Sequence, residues 1–209
     1  MTQLDRTTQL EQELRDWEQL VKANPNNPNA FVRRGMARFK LGQIGAAIED
    51  FDRAEQVDER LTPYLWQRGL AYYYAQRFEA GAAQFELDLT VNGQDVEETV
   101  WRYLCIAQSR GGDAAIATLL PVRHDPRPFM QPVYALYAAQ ISVEALLAWA
   151  SAAEPRGQFY CYLYIGPHYE AWRDAAQAKH YLLLAAQANL FDDYMWHLAI
   201  VHCQLRGWK

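Results

Sequence analysis

Apolar residues recur every three or four positions along the first segment of the chain, with polar residues between them. Because side chains at this spacing lie on one face of a helix, the pattern predicts an amphipathic helix. The run NPNNPN then ends the helix, so residues 1–27 form the first predicted element. The apolar stripe of this helix consists of Leu4, Leu10, Leu14, Trp17, Leu20 and Val21.

Two segments that follow this helix repeat each other at a shift of 34 residues. A fixed period of this length is typical of a supersecondary unit that is stacked several times. The matching pairs are Arg34 and Arg68, Gly35 and Gly69, Ala37 and Ala71, Phe39 and Tyr73, and Phe51 and Phe85. The period therefore predicts repeated pairs of helices.

Proline and capping residues mark the start of each repeat. Asn27-Pro28 and Thr62-Pro63 each place a side-chain oxygen before a proline, an arrangement typical of a helix start. These starts give one repeat over 28–60 and a second over 62–93. A degenerate third copy begins at Asp95 and runs to about residue 120, with a shortened second helix.

The small residues of these segments resemble those of the tetratricopeptide repeat, a helix-turn-helix unit in which small side chains let two helices approach closely. Gly35 and Gly69 occupy one such position, and Ala47 and Gly81 another. The resemblance implies an all-α solenoid of helical hairpins, wound into a right-handed superhelix. Since glycine weakens a helix by about 1 kcal/mol relative to alanine, we expect both repeat glycines to be positions of close packing.

A proline-rich stretch at 121–132, PVRHDPRPFMQP, interrupts the periodicity. Helical spacing returns over 133–209, where Ser142 is a candidate helix cap and Gly166 holds the small position of one further repeat. A final helix, DYMWHLAIVHCQLRGW, would cap the stack. The sequence thus predicts an N-terminal helix, repeats over 28–120, a loop, and C-terminal hairpins.

One stripe on the first helix of each repeat is rich in large apolar residues. In tetratricopeptide repeat proteins this stripe lines the concave groove, and large exposed apolar patches usually mark binding surfaces. We therefore expect an aromatic groove that holds a partner protein. The predicted partner-binding residues are Val32, Met36, Phe39, Trp66, Leu70, Tyr73 and Trp101.

An alternative interpretation places Trp66 and Tyr73 in the core, covered by the neighbouring repeat or by the 121–132 loop. The groove also restricts its partner, because clamping a C-terminal carboxylate needs a cation. In the branch of the tetratricopeptide repeat family that binds chaperone tails, set groove positions supply this cation. The resemblance places those positions here at Val32, Met36, Gln67, Glu97 and Trp101, none of which is a Lys or Arg. An apolar or amphipathic partner segment, extended or helical, fits this groove better.

The sequence contains no G-x-S-x-G, P-loop, paired C-x-x-C or H-E-x-x-H motif, so we expect a non-catalytic protein without cofactor or metal. His197 and His202 are five residues apart, about 140 degrees around a helix, rather than on one face. The alternative function is a small-molecule, pigment or metal site built from C-terminal aromatic residues and histidines. Its candidate residues are His168, His180, Asp192, Asp193, His197, His202 and Cys203.

A basic cluster at Arg33, Arg34, Arg38 and Lys40 precedes an acidic run over 49–59. One interpretation is electrostatic selection of a partner. The other is a set of ordinary ion pairs on helix faces, each of small energetic value. The sequence favours the second interpretation.

Composition narrows the classes of partner and compartment. The net charge of −5 argues against a sequence-independent nucleic-acid binder, which carries a basic surplus. Cys105, Cys161 and Cys203 are far apart in apolar helical pattern, which predicts reduced, buried thiols and a cytoplasmic location. No secretory signal and no apolar run of about 20 residues is visible, so we expect no membrane insertion.

The order of segments over residues 30–207 resembles that of the NlpI family of bacterial lipoproteins, adaptors that bring cell-envelope substrates to a protease. The sequence departs from that family in lacking its lipoprotein signal and cysteine. The ending also resembles small tetratricopeptide repeat proteins of cyanobacteria and plant plastids. These resemblances imply a scaffold or adaptor in the assembly or quality control of a larger complex. Homodimerisation through the N-terminal helix is a further candidate interaction.

Overall fold

The computed structural model describes residues 3–209, with side chains from Asp5 onward. Every regular element in this range is helical, which confirms the prediction of an all-α protein. A 3-10 helix at Glu59–Tyr64 lies between α3 and α4. The α-helices are α1 (Gln3–Ala23), α2 (Pro28–Lys40), α3 (Ile44–Val57), α4 (Trp66–Tyr74), α5 (Phe78–Asp88), α6 (Val96–Arg110), α7 (Gly112–Ala117), α8 (Met130–Tyr137), α9 (Val143–Ala152), α10 (Pro155–Ala171), α11 (Ala175–Ala186) and α12 (Tyr194–Leu205).

These helices form two compact units, one ending at Val91 and the other beginning at Asn92. The first unit contains α1 to α5, and the second contains α6 to α12. Across the described part of the chain, no helix combines the length and the apolar character needed to cross a bilayer.

Two consecutive helical hairpins make up most of the first unit, because α2 packs along α3 and α4 along α5. A glycine permits each close approach. A Cβ atom on Gly35 would lie 2.7 Å from the Phe51 ring, and one on Gly69 would lie 2.7 Å from the Phe85 ring. Carbon atoms in contact are ordinarily about 3.5–4.0 Å apart, so the prediction that both glycines are close-packing positions is confirmed.

The predicted helix starts have different outcomes. The Asn27 side chain accepts hydrogen bonds from the backbone N–H groups of Asn29 and Ala30, and Pro28 opens α2, as predicted. The predicted start at Thr62-Pro63 is wrong, because both residues lie inside the 3-10 helix and α4 begins at Trp66. The hydroxyl of Thr62 donates to the Glu59 carbonyl, so it bonds backward along the 3-10 helix rather than capping α4.

The N-terminal helix α1 packs against α2 within the same unit. Val21 joins a buried cluster with Ala30, Phe31 and Ala54, and the ammonium of Lys40 pairs with Glu13 at 2.5 Å. The apolar face that was a candidate for docking on a second copy is therefore at least partly occupied inside the chain. Homodimerisation through α1 stays a prediction, and the Leu4 side chain lies outside the described residues.

The second unit is built around α10, which contacts α6, α8, α9 and α11. Its closest hairpin is α10 with α11, where a Cβ on Gly166 would lie 2.5 Å from Cγ of Leu182. The Asp95 side chain caps α6, and Ser142 caps α9 as predicted. The third hairpin, by contrast, has a second helix, α7, of only six residues, and residues 118–129 that follow are irregular.

Candidate functional site

The seven residues predicted to bind a partner differ sharply in exposure. In the first unit, Phe39, Leu70 and Tyr73 are 0%, 1% and 1% exposed, and Trp101 in the second unit is 1% exposed. Val32, Met36 and Trp66 are only half-buried. Four of the seven side chains are thus core residues in this structure, which favours the structural interpretation for Tyr73.

Neighbouring aromatic rings account for much of this burial. In the first unit, Phe39 meets Tyr74 edge-on at 5.6 Å between ring centroids, and Tyr73 contacts Phe78 in the same way at 5.6 Å. In the second unit, Trp101 lies 6.5 Å from the ring of Tyr164 on α10. Such edge-to-face pairs are favourable contacts of protein cores.

Three of the predicted partner-binding residues are half-buried and define what we call the apolar strip. They are Val32 and Met36 on α2 and Trp66 on α4. The two helices approach each other here, since the amide nitrogen of Gln67, the residue after Trp66, is 3.8 Å from the Met36 sulfur. Val32 also packs against the buried cluster that includes Val21 and Phe31. The strip therefore includes residues from the first helices of two consecutive hairpins, and at Val32 it rests on the core of the first.

The basic cluster near this strip is largely engaged in ion pairs within the chain. Arg34 and Arg38 both contact the buried carboxylate of Asp50, at 2.6 and 3.0 Å. Lys40 pairs with Glu13 on α1. These contacts agree with the ion-pair interpretation that the sequence favours, because they direct three of the four cations toward the protein itself. They differ from it at Asp50, which is 2% exposed, so the pairs with Arg34 and Arg38 do not lie on a solvated face.

These contacts reveal an arginine repeat, of which the sequence comparison matched Arg34 with Arg68 but missed Arg102 and the bond that each arginine makes. Arg34 donates to Asp50, Arg68 donates to Gln84 at 2.8 Å, and Arg102 donates to the Thr118 carbonyl at 2.8 Å. Each acceptor lies 16 residues after its arginine. The signal was available, because the three arginines are themselves spaced by 34 residues.

The proline-rich loop is held at the start of α6 by a partly buried ionic cluster, in which Asp125 is the fully buried member. The guanidinium of Arg127 contacts Asp125, Asp95 and Glu97, and Asp125 accepts a hydrogen bond from the backbone N–H of Val96. Tyr164 on α10 donates to Glu97 at 2.6 Å. Burial raises the pKa of Glu97 to about 7, although Arg127 and the tyrosine hydroxyl oppose that shift.

The C-terminal histidines and acidic residues have separate partners. His197 contacts the Phe191 carbonyl at 3.0 Å, and Asp193 accepts from Arg156 and Tyr160. His202 lies 3.6 Å from Glu170, whose pKa falls to about 2 because His202 and Arg206 outweigh the effect of burial. Within residues 3–209, no three such side chains meet in a group that could hold a metal ion.

The cysteines are free and buried, at positions 105, 161 and 203. Burial raises the pKa of Cys161 to about 12 and that of Cys203 to about 11. Because the thiolate is the reactive form, these two groups are poor nucleophiles at neutral pH. Their environments are those of structural side chains.

A pocket of about 480 Å³ lies in the second unit, between α6, α7, α8, the turn after α8 and the end of α10. Its walls include the rings of Tyr103, Tyr137, His168 and Trp172 and the aliphatic side chains of Ile116 and Leu136. Of the predicted candidate residues, only His168 lies here. The sequence analysis did not assign the other ten lining residues to a site. Tyr103 was the visible signal, because it stands 34 residues after Gly69 where the repeat would have a small residue.

A comparison of the sequence with models of known protein families finds no match.

Proposed function

We propose that this chain is a non-catalytic adaptor of the tetratricopeptide repeat type, which holds a segment of a partner protein against its first unit. The proposal rests on one observation, the apolar strip of Val32, Met36 and Trp66 across α2 and α4. Two neighbouring helices fixed by their own hairpin cores offer a preformed surface, which lowers the entropic cost of binding.

The chemistry of the strip favours an apolar or amphipathic partner segment. Tryptophan and methionine are both enriched at protein interfaces, and tryptophan often supplies much of the binding energy. Phe39, Leu70 and Tyr73 support the strip from the core, so we assign them a positioning role rather than direct contact. Trp101 belongs to the other unit and is left out of the strip.

The resemblances in segment order support a role in the assembly or quality control of a larger complex. The three buried thiols support a reducing compartment such as the cytoplasm. Affinity capture of the partner tests the role in a larger complex, because the captured proteins identify that complex.

The test compares affinity capture, with mild cross-linking in the native cell, between wild type and the double variant Met36→Ala/Trp66→Ala. Tyr73→Ala is unsuitable because that side chain is core. The matched control is Tyr64→Ala/Leu87→Ala, which removes two exposed apolar side chains from the same unit. Since loss of a hot-spot residue weakens binding by about 2 kcal/mol or more, we expect specific partners to fall at least about tenfold with the strip variant alone.

Circular dichroism and thermal melting establish that all three proteins remain folded. If folded strip and control variants retain the same partners as wild type, the strip is not the binding surface. Equal loss in both variants would also contradict the proposal, because it would indicate nonspecific apolar capture.

A further inference from the structure

The pocket in the second unit arises where the repeat pattern fails. Gly69 in the second hairpin permits close contact with Phe85, but the residue 34 positions later is Tyr103. A tyrosine cannot permit the close approach that glycine does. The second helix of this hairpin, α7, is correspondingly short and ends at Ala117. The space that a longer helix would fill is bordered by α8, the turn after it and α10.

Aromatic rings form a large part of the pocket wall. Tyr137 is fully buried, meets Tyr103 edge-on at 5.1 Å and is held by a hydrogen bond from its hydroxyl to the Tyr164 carbonyl. Trp172 is 45% exposed at the mouth, and its ring lies against Gly112, where a Cβ would be 2.9 Å away. The wall is thus fixed on one side and open to solvent on the other.

The wall carries no formal charge, since none of the described residues that line it is Asp, Glu, Lys or Arg. His168 is the one lining residue with an imidazole, and its Nδ1 atom is buried without a hydrogen-bond partner. Burial lowers the pKa of His168 to about 4, so the ring is neutral at physiological pH. A charged ligand would lose its hydration here without gaining an opposite charge.

The volume of the pocket favours a small molecule over a docked partner helix as its ligand. Pockets for small molecules are about 300–1,000 Å³ and mostly apolar, with a few polar groups that set orientation. A helix is about 10–12 Å in diameter, so a single turn already fills about 400–600 Å³. The pocket could accept no more than one turn of a partner helix.

We propose that this pocket binds a small uncharged molecule that has an aromatic or alicyclic ring and one hydrogen-bonding group. Trp172, which is 45% exposed, contacts the ligand ring, and the rings of Tyr103 and Tyr137, each 1% exposed, form the floor beneath it. The imidazole of His168 supplies the polar partner. This site is separate from the apolar strip, so either proposal can fail without the other.

The test uses a matched pair of fluorescent probes. N-phenyl-1-naphthylamine is uncharged and has one N–H group, whereas 8-anilinonaphthalene-1-sulfonate adds a sulfonate to the same skeleton. We expect saturable, one-to-one binding of the uncharged probe, at least tenfold tighter than that of the sulfonate. Equal affinity for the two probes would overturn the assignment of an uncharged ligand, and non-saturable binding of the uncharged probe would overturn the pocket itself.

Variants locate the binding site. Ile116→Trp fills the pocket from α7, and Ala117→Trp places the same ring on the next, exposed residue, which does not line the pocket. We expect Ile116→Trp to weaken binding at least tenfold and Ala117→Trp to change it less than twofold. Should Ile116→Trp fail to fold, Gln140→Trp blocks the exposed rim instead. Unchanged affinity in the folded blocking variant overturns the proposal.

The hydrogen bond is tested separately with His168→Phe, which keeps a ring of similar size and removes both nitrogens. Loss of one hydrogen bond corresponds to roughly a tenfold change in affinity, and we expect this loss for the uncharged probe. Wild-type affinity in His168→Phe would overturn the role of His168.

Discussion

Three consecutive tyrosines on α4 have three different environments. The hydroxyl of Tyr72 lies 3.3 Å from Asp52 on α3, Tyr73 packs against Phe78 at the start of α5, and Tyr74 contacts Phe39 on α2. Since successive helical residues are rotated by about 100 degrees, each ring reaches a different neighbour. At the scale of single residues, α4 is thus surrounded on at least three sides.

The packing role of the glycine at the hairpin contact can be tested by replacing it with alanine, which adds one methyl group. Gly69→Ala would place a Cβ 2.7 Å from the buried ring of Phe85, so we expect a loss of about 1–3 kcal/mol in the free energy of unfolding. Gly45→Ala is the matched control on α3, where a Cβ meets nothing within 4 Å. There we expect no loss and a gain of up to about 1 kcal/mol. Chemical denaturation measures both, and equal effects would contradict the packing role of Gly69.

Because the Asp88 carboxyl is buried, we expect the free energy of unfolding to depend on pH. Burial raises its pKa to about 7, although Gln84 donates to one of its oxygens at 2.6 Å. The folded state therefore holds this proton more tightly than the unfolded state, and stability falls as the pH rises from about 4 to about 7. Asp88→Asn mimics the protonated form, so its advantage over wild type should grow across that range and stay constant above it.

At pH 8 we expect Asp88→Asn to be more stable than wild type by about 1–3 kcal/mol. The control is Glu49→Gln on an exposed position of α3. Urea unfolding at several pH values between 5 and 8 measures the difference for each variant. An Asp88→Asn advantage that shrinks as the pH rises would show that the carboxylate is stabilised in the folded protein.

At the scale of helices, each of the first three hairpins contains one arginine at the same repeat position that bonds across the hairpin. Arg34, Arg68 and Arg102 each reach a residue 16 positions further on, although the acceptor changes from a carboxylate to an amide to a backbone carbonyl. Hydrogen bonds to charged groups are stronger than those between neutral groups. This polar bond recurs at the same position in all three hairpins, and in the first two a close apolar contact at glycine accompanies it.

The docking of α1 is tested with two adjacent residues. Val21→Ala removes two methyl groups from the buried cluster with Phe31 and Ala54, so we expect a loss of about 1–2 kcal/mol in the free energy of unfolding. Leu20→Ala is the control, because Leu20 is 50% exposed and its truncation should change stability by less than about 0.5 kcal/mol. A larger effect at Leu20 than at Val21 would mean that α1 packs through a different face in solution.

Helix boundaries were predictable where one capping group acts alone. Asn27 and Ser142 cap the helices that the sequence assigns to them. The prediction of a helix start at Thr62-Pro63 failed because Asp58, four residues before Thr62, caps a 3-10 helix that includes both residues. Competition between two nearby capping residues depends on the path of the chain, which local spacing does not reveal.

For the molecule as a whole, the all-α fold was predictable because matching residues still recur at a period of 34 in the sequence. Exposure was harder to predict. Phe39, Leu70 and Tyr73 have the spacing of a groove lining, but their burial depends on rings such as Tyr74 and Phe78 that come from later in the chain. Helical spacing indicates which residues share a face, but not what covers that face.

The pocket was unpredictable for a related reason. Tyr103 and Trp172 are far apart in sequence, and they meet because α7 ends early and α10 ends nearby. The departure from glycine at position 103 was visible, but its result depends on whether another helix fills the space. The loss of a small residue can be seen in the sequence, whereas the pocket that results can be seen only once the helices of the unit are packed together.

The equal spacing of the arginine bonds restricts how such a chain can change length over evolution. An insertion of one whole hairpin adds another arginine with its acceptor 16 residues later and keeps every existing pair in register. An insertion of a few residues between an arginine and its acceptor would rotate the acceptor away from it. Descendants of this protein should therefore grow or shrink by complete hairpins.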